Sequence, residues 1–420
     1  MTSILIKNVW LDRDTVDIFI EGNIIRNIGK NLDVNAQQTI DGSRKAVIPG
    51  LINGHGHAAM TLFRGWGDDM PLEQWLHDRI WPREAKMTEE DVYWGVKLAC
   101  LEMIKTGTTC ANDMYAMFNN ATAQAATDMG IRMVAAPTIW DFFDKKNAGA
   151  AKKQTLQYIK DAQKYNSRIT FAAAPHAIYT VSSELLQWSH DFANDHNLLI
   201  HLHLAESRTE HDNAVQQFGL SPVRYLHKLG ILSPRLILAH AVWLDEEEIK
   251  MLADHEVKVV HNPNSNLKMA SGYQFKYMEM KHAGITIGLG TDGCASSNNL
   301  DLIETMKTAS LLQKAWRYDP TLFSAQEALD CVTINGAKML RLHTGKIETG
   351  RLADLCLIDI NCAAFTPNFD FVSNLVYAAN GSCVDTVICD GRILMQNKQV
   401  PGEQEILDRA AAAAYRLMKK

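Results

Sequence analysis

The sequence predicts an α/β fold: a TIM-type (β/α)8 barrel carrying a small β-sandwich domain built from both chain ends. Three observations predict it. Both ends alternate apolar and polar residues with the period of strands. The middle alternates short apolar runs with longer amphipathic ones. Histidines and aspartates recur at the C-terminal ends of those apolar runs, which is the rim where a barrel gathers its functional groups.

The N-terminal end comes first. Ile4, Ile6 and Val9, then Val16, Ile18 and Ile20, are spaced mostly by two, and Glu21-Gly22-Asn23 makes a turn before Ile24 and Ile25. The C-terminal end repeats the texture. Asp354–Asp359 is a buried-strand candidate, and Val384–Ile393 folds back on Cys389-Asp390-Gly391 as a hairpin. The expected domains are therefore 1–50 and 346–420, the latter ending in a helix, around a catalytic barrel of 51–345.

Within the barrel segment the apolar runs are Ile131–Ala136, Ile169–Ala174, Leu198–Leu204, Leu236–Ala239, Val257–Val260 and Ile285–Gly290. Helical stretches lie between them, at Glu90–Lys105, Ala121–Met129, Ala151–Lys164, Ser183–His196 and Asp245–His255. A doubly wound sheet would share this texture, but the phosphate-cradling glycine loops often found on such sheets are absent.

Composition bounds the function. Of 420 residues, 42 are Lys or Arg and 48 are Asp or Glu, a net charge of −6 that offers no footprint for nucleic acid or an anionic membrane. No apolar run is long enough to span a bilayer. Eight cysteines are too dilute for a disulfide framework and form no C-x-x-C pair, so a reducing, cytoplasmic location is expected.

The chemistry rests on the fifteen histidines. In Asn53-Gly-His55-Gly-His57 the two imidazoles share one face of an extended chain and can hold one metal, with Gly54 and Gly56 letting backbone crowd close. His203 ends a strand, with Glu206 three residues on as a proton-handling carboxyl. His201 shares its face and could compete, but the ligand role goes to His203 because it pairs with the glutamate, and His201 is expected in the barrel interior or behind the ligands. His240 and Asp292 end two later runs. Asn112-Asp113 reads equally as a turn, His261 as a loop-ordering residue, and Asp245–Glu248 as the acidic first turn of a helix.

On the blocks PGLINGHGHAAMTLFRG, HLHLAES, LAHAVWLDEEE, HNPNSNLKMASG and GTDGCASSNNLDLIETM, the chain resembles the amidohydrolase superfamily, and within it the 5-methylthioadenosine/S-adenosylhomocysteine deaminases. The resemblance implies a distorted barrel and one divalent metal, usually zinc, with iron or manganese as alternatives, on His55, His57, His203 and Asp292. It implies a water activated by that metal, with Asp292 and His240 taking its proton and Glu206 shuttling protons to the ring. Glu84 and His176 would hold the nucleoside, Glu84 on the ribose hydroxyls, with Trp75 as a wall. The product would be the inosine analogue and ammonia. The alternative is a relative acting on guanine, cytosine or chloro-s-triazine rings.

Family members that take S-adenosylhomocysteine offer arginines to its carboxylate after the Gly130-Ile-Arg132 motif. Here that stretch holds Ala136, Trp140 and Phe143, so an apolar 5′ substituent is expected, unless Lys145 or Lys146 replaces the arginines. The expected partner is a small nucleoside; a homo-oligomer is compatible with the sequence.

Overall fold

The computed structural model describes residues 2–419, apart from the side chains of Leu72 and Glu73. Eight strands pair in parallel and in sequence: β6 Leu51–Gly56, β7 Thr108–Tyr115, β8 Arg132–Ile139, β9 Ile169–Pro175, β10 Leu199–Leu204, β11 Leu236–His240, β12 Lys258–His261 and β13 Ile287–Leu289. The first and last approach each other, and the Asp292 amide just past β13 donates to the His55 carbonyl of β6 at 3.1 Å. The barrel is thus nearly closed, and it is closed beside the histidines.

Strand periodicity sorts the two faces. Ile52, Cys110, Val134, Ala136, Ala172, Ile237 and Val260 form one buried cluster with Met339 and Leu340. Their sequence neighbours Leu51, Ala111, Met133, Ala135, Ala173, Leu238 and Val259 belong to a second cluster shared with the helices. Successive side chains on opposite faces produce this split: one set fills the barrel and the other seats its outer ring.

The helices begin where the sequence supplies caps. Thr88 and Asp91 form a reciprocal capping box at the start of helix Glu89–Lys105, and Asp245 with Glu248 does the same for helix Glu246–Asp254. Asp113, weighed against a turn, lies well inside β7, where Asn112 also donates to the Gly54 carbonyl at 3.0 Å. Polar side chains hid this strand from a reading based on apolar runs.

A second, mixed sheet comes from both chain ends: β1 Ser3–Leu11, β2 Asp14–Glu21, β3 Ile24–Gly29, β4 Gln38–Asp41, β5 Lys45–Pro49, β14 Leu355–Asp359, β15 Val384–Cys389 and β16 Arg392–Met395. The junction is β5 against β14, antiparallel from Leu355 opposite Pro49 to Asp359 opposite Lys45. Ile4, Ile6, Ile18, Ile20, Ile25, Leu355, Leu357 and Ile388 give this sheet its own apolar core. Helix Glu403–Lys419 follows β16.

Buried charge ties the sheet to the barrel. Arg132 of β8 donates to Asp354 and to Asp390, each at 2.7 Å, and Arg168 reaches the other Asp390 oxygen at 3.2 Å. Burying a guanidinium is tolerable only when its donors are matched in this way. Among the described residues, no helix is long and apolar enough to cross a membrane.

Candidate active site

The ends of β6, β10 and β13 deliver their polar groups to the same mouth. Nε2 of His55 lies 3.3 Å from Oδ1 of Asp292, and Nε2 of His57 lies 3.2 Å from the same oxygen. Nε2 of His203 lies 3.3 Å from Nε2 of His57. A tetrahedral ion with ligand bonds of ~2.0–2.1 Å has ligand–ligand edges of about 3.3 Å. The three measured separations match edges of that polyhedron, so His55, His57 and Asp292, with His203 beside His57, could hold one divalent ion.

The opposite ring atoms show that these lone pairs are aimed. Nδ1 of His57 bonds to the Met114 carbonyl at 2.6 Å and Nδ1 of His203 to the His176 carbonyl at 3.0 Å. A carbonyl can only accept, so both rings carry a proton on Nδ1 and turn Nε2 toward the site as the atom available to a metal. Nδ1 of His55 meets Nε2 of His201 at 2.9 Å. His201 therefore reaches the cluster through the ring of His55. Nε2 of His55 is buried with no hydrogen-bond partner.

Asp292 sits in left-handed backbone, φ 61°. Its Oδ2 accepts from the Ser265 and Ser296 hydroxyls at 2.6 and 3.0 Å, which leaves Oδ1 to face the imidazoles. Neither serine stood out in the sequence, although both lie in the blocks HNPNSN and CASS that carried the resemblance. The glycines of the H-x-H segment differ: a side chain at Gly54 would meet the Leu289 carbonyl and Val260 at 3.0 Å, whereas Gly56 has ordinary space.

Electrostatics follow burial. Burial drives His55 down to about 4 and holds His203 and His201 well below their ordinary value. His57 is the exception: burial opposes its charge, yet the Asp292 carboxylate raises it to about 9. Asp292, despite burial, is kept well below the carboxylate range by the adjacent imidazoles of His55 and His57. Burial raises the Asp113 carboxyl to about 6; that residue accepts from the Ala58 amide and fixes the turn after His57.

Above this cluster opens a cleft lined by His57, His203, His240 and Asp292. Glu206, Glu84, His176, Trp75, Trp81 and Trp140 line it as well. Oε2 of Glu206 faces Nε2 of His240 at 3.8 Å, and its Oε1 accepts from the Ser271 hydroxyl at 3.3 Å. Burial raises the Glu84 carboxyl, and the Tyr115 hydroxyl bonds to it. His176 is driven to about 3 by burial and the nearby His57 and His55, and its Nδ1 meets the Thr180 hydroxyl at 2.9 Å. The Trp75 indole N–H is buried without a partner.

Several expectations change. Ala136 is in the barrel's interior cluster and not on the cleft, and Phe143 is half-exposed at the surface, so only Trp140 of that trio lines the site. Lys145 and Lys146 begin the helix Lys145–Ala162 and are absent from the cleft lining. His261 ends β12 and stacks on Phe275 with ring centroids 3.9 Å apart.

Known proteins share this arrangement. The Amidohydrolase family pattern matches residues 46–394. A 5′-deoxyadenosine deaminase of Methanoregula boonei is 45% identical, over 100% of this chain and 96% of the relative. A 5-methylthioadenosine/S-adenosylhomocysteine deaminase of Archaeoglobus fulgidus is 43% identical over 99% of each. The crystal structure of an adenosine deaminase from Xanthomonas campestris with bound zinc superposes with a TM-score of 0.91, at 31% identity, over 100% of this chain and 99% of that one. With the family pattern spanning the barrel and these relatives matched from end to end, the chain belongs to the amidohydrolase family.

Proposed function

We propose that the protein is a hydrolytic deaminase of 5′-modified adenosines, converting 5′-deoxyadenosine or 5′-methylthioadenosine to the inosine analogue and ammonia. The observation that carries this reading is the convergence of His55, His57 and His203 Nε2 with Asp292 Oδ1 under a cleft walled by Glu206 and Glu84. The end-to-end likeness to a 5′-deoxyadenosine deaminase supports the adenosine class.

His55, His57, His203 and Asp292 would hold one zinc ion, the metal bound in the Xanthomonas enzyme. Such an ion supplies Lewis acidity and lowers the pKa of a bound water from ~15.7 to about 7. The chain's own residues do the rest. Glu206 gives a proton to the ring nitrogen beside the amine-bearing carbon, so that the ring accepts an electron pair as water adds. Asp292 takes one proton from the adding water. Glu206, now a carboxylate, takes the proton left on the new hydroxyl and passes it to the departing ammonia, and the proton held by Asp292 restores Glu206. Nucleoside plus water becomes inosine analogue plus ammonia, with no other reactant.

Binding falls to the walls. Glu84, buried and braced by Tyr115, receives the ribose hydroxyls. The Thr180 hydroxyl donates to the Ala177 carbonyl, so it accepts from Nδ1 of His176 and leaves that ring's Nε2 as an acceptor in the cleft. Trp75 offers its unpartnered N–H.

The cleft opens through Leu76, Trp81, Tyr179 and Met269 into an outer chamber, the seat of the 5′ substituent. Met70, Phe142, Ile178 and Phe218 make it apolar, and its Lys268 is already paired with Asp68 at 2.6 Å. Its described lining includes no arginine, so a carboxylate there finds no bidentate partner. The reading also takes 51–345 as the catalytic barrel, 1–50 and 346–420 as its supporting β-domain, and the cytoplasm as its location.

Metal-loaded protein should be assayed for ammonia release from 5′-deoxyadenosine, 5′-methylthioadenosine, adenosine, S-adenosylhomocysteine, guanine and a chlorotriazine. The first two are expected to lead. S-adenosylhomocysteine should fall about tenfold or more behind in kcat/KM, the value of a lost charged hydrogen bond. Turnover of guanine or the triazine with none of the adenosines ends the proposal.

A further inference from the structure

β14 and β15 run antiparallel with Ile358 opposite Val384, so the connection between them leaves and returns at one end of that strand pair. Cys362 lies just past β14, at the start of the turn Ala363–Phe365, and Cys383 closes the turn Gly381–Cys383 that leads into β15. Their sulfurs lie 3.9 Å apart. Between them the connection carries helix Phe371–Tyr377, whose Tyr377 hydroxyl meets the Ser310 hydroxyl of barrel helix Leu302–Arg317 at 2.8 Å. The Gly381 amide donates to Asp301, the cap of that same barrel helix, at 2.7 Å. The connection is thus part of the seat of the β-domain on the barrel.

The two thiols differ in access. Cys362 is partly exposed and Cys383 is 8% exposed, whereas the remaining cysteines are buried at 0–1%. A dissolved reagent therefore meets Cys362 first. Burial pushes the Cys383 thiol up, which keeps it protonated behind its neighbour. Neither residue lines the active-site cleft, and the hydrolytic chemistry uses neither. Cysteines too sparse in sequence for a disulfide framework are here brought into contact by the fold.

We propose that Cys362 and Cys383 form a redox-active thiol pair that exchanges with small-molecule disulfides and closes into a disulfide clasp between the end of β14 and the start of β15. The Cys362 thiolate attacks one sulfur of the small disulfide, forms a mixed disulfide and expels the first thiolate. Cys383, having lost its proton to solvent, attacks Sγ of Cys362 and expels the second. The pair gives up two electrons and two protons, and the small disulfide becomes two thiols. In a reducing compartment the pair stays open, and the clasp forms as disulfide accumulates. Closing the connection into a loop restricts the unfolded chain, so the linked form is the more stable one. The site needs neither the metal nor a nucleoside.

The test incubates folded, full-length, zinc-loaded protein with glutathione disulfide at mildly alkaline pH and quenches it with acid and N-ethylmaleimide. Intact mass should fall by two hydrogens, and dithiothreitol should restore it. Chymotrypsin, cutting after Phe365 and Tyr377, separates the two cysteines, so a linked peptide pair identifies the bond. In Cys383→Ser the exchange should stop halfway, with a glutathionyl group held on Cys362. In Cys362→Ser, modification of Cys383 should be at least about tenfold slower, because the accessible attacking thiol is gone. Linked wild-type protein should melt about 3–6 °C above the reduced form, while the serine variants show no such rise. A stable mixed disulfide on wild-type Cys362, or no linked pair at all, overturns the proposal. A linked pair whose Tm is unchanged or lowered overturns the clasp.

Discussion

Asp292 and His57 meet at 3.2 Å although one follows the last barrel strand and the other the first. The contact lies where the sheet closes, so ligand geometry and closure of the barrel depend on each other. Asp292→Asn keeps the shape but weakens the oxygen donor. Zinc affinity should drop at least about 100-fold, measured by competition with a chromogenic chelator. Unchanged affinity and full metal stoichiometry would remove Asp292 from the ligand set.

Ser265 works one bond further out. Its hydroxyl and that of Ser296 hold Oδ2 of Asp292, so Ser265→Ala frees the carboxylate to rotate. We expect a loss of about 10–100-fold in zinc affinity with an unaltered fold by circular dichroism. The idea fails if the alanine variant binds zinc as tightly as the parent.

Glu206→Gln removes the proton carrier and leaves all four proposed ligands in place. The expected result is a fall in kcat of ~10²–10⁴ at constant metal content. Near-normal turnover would rule out the shuttle.

Glu84 lies on the cleft wall rather than among the ligands. Glu84→Gln should raise KM for ribonucleosides about tenfold or more, the scale of a hydrogen bond to a charged group. The effect should vanish with a 2′,3′-dideoxy substrate. An equal penalty on both substrates would place the ribose elsewhere.

Glu210 gives a pH prediction. Its carboxyl accepts from the Ala205 and Glu206 amides at 3.0 and 2.8 Å, bracing the loop that carries the proton shuttle. Burial raises it to about 8 from an ordinary 4.5. Between those values the folded protein keeps a proton that the unfolded chain has released, so this group's contribution to stability falls as pH rises. Glu210→Gln cannot take up that proton. The Tm difference between wild type and variant should therefore shift in the variant's favour from about pH 5 to about pH 8. A difference that stays level across that range would falsify the buried proton.

Much of this was legible in the sequence because it is local. Strand period, helix caps and the placement of His55, His203, His240 and Asp292 at run ends are all short-range patterns. What stayed hidden is long-range or masked. β7 carries Asn112 and Asp113 in its interior-buried stretch, so no apolar run announced it. Ser265 and Ser296 matter only because folding brings them to Asp292. Ala136 and Phe143 follow the Gly130-Ile-Arg132 motif, but strand alternation sends Ala136 into the barrel's filling and the loop turns Phe143 outward. Glu210 lies four residues after Glu206, and its reach back to that loop depends on the helix starting at Arg208.

The clasp of Arg132 and Arg168 on Asp354 and Asp390 sets a condition on any attempt to trim the molecule. A fragment cut after the last barrel helix would strand two guanidiniums in an apolar seam with their counter-ions gone. An engineer wanting a minimal catalyst must first replace both arginines with neutral, shape-matched side chains; otherwise the shortened product will precipitate before its chemistry can be assayed.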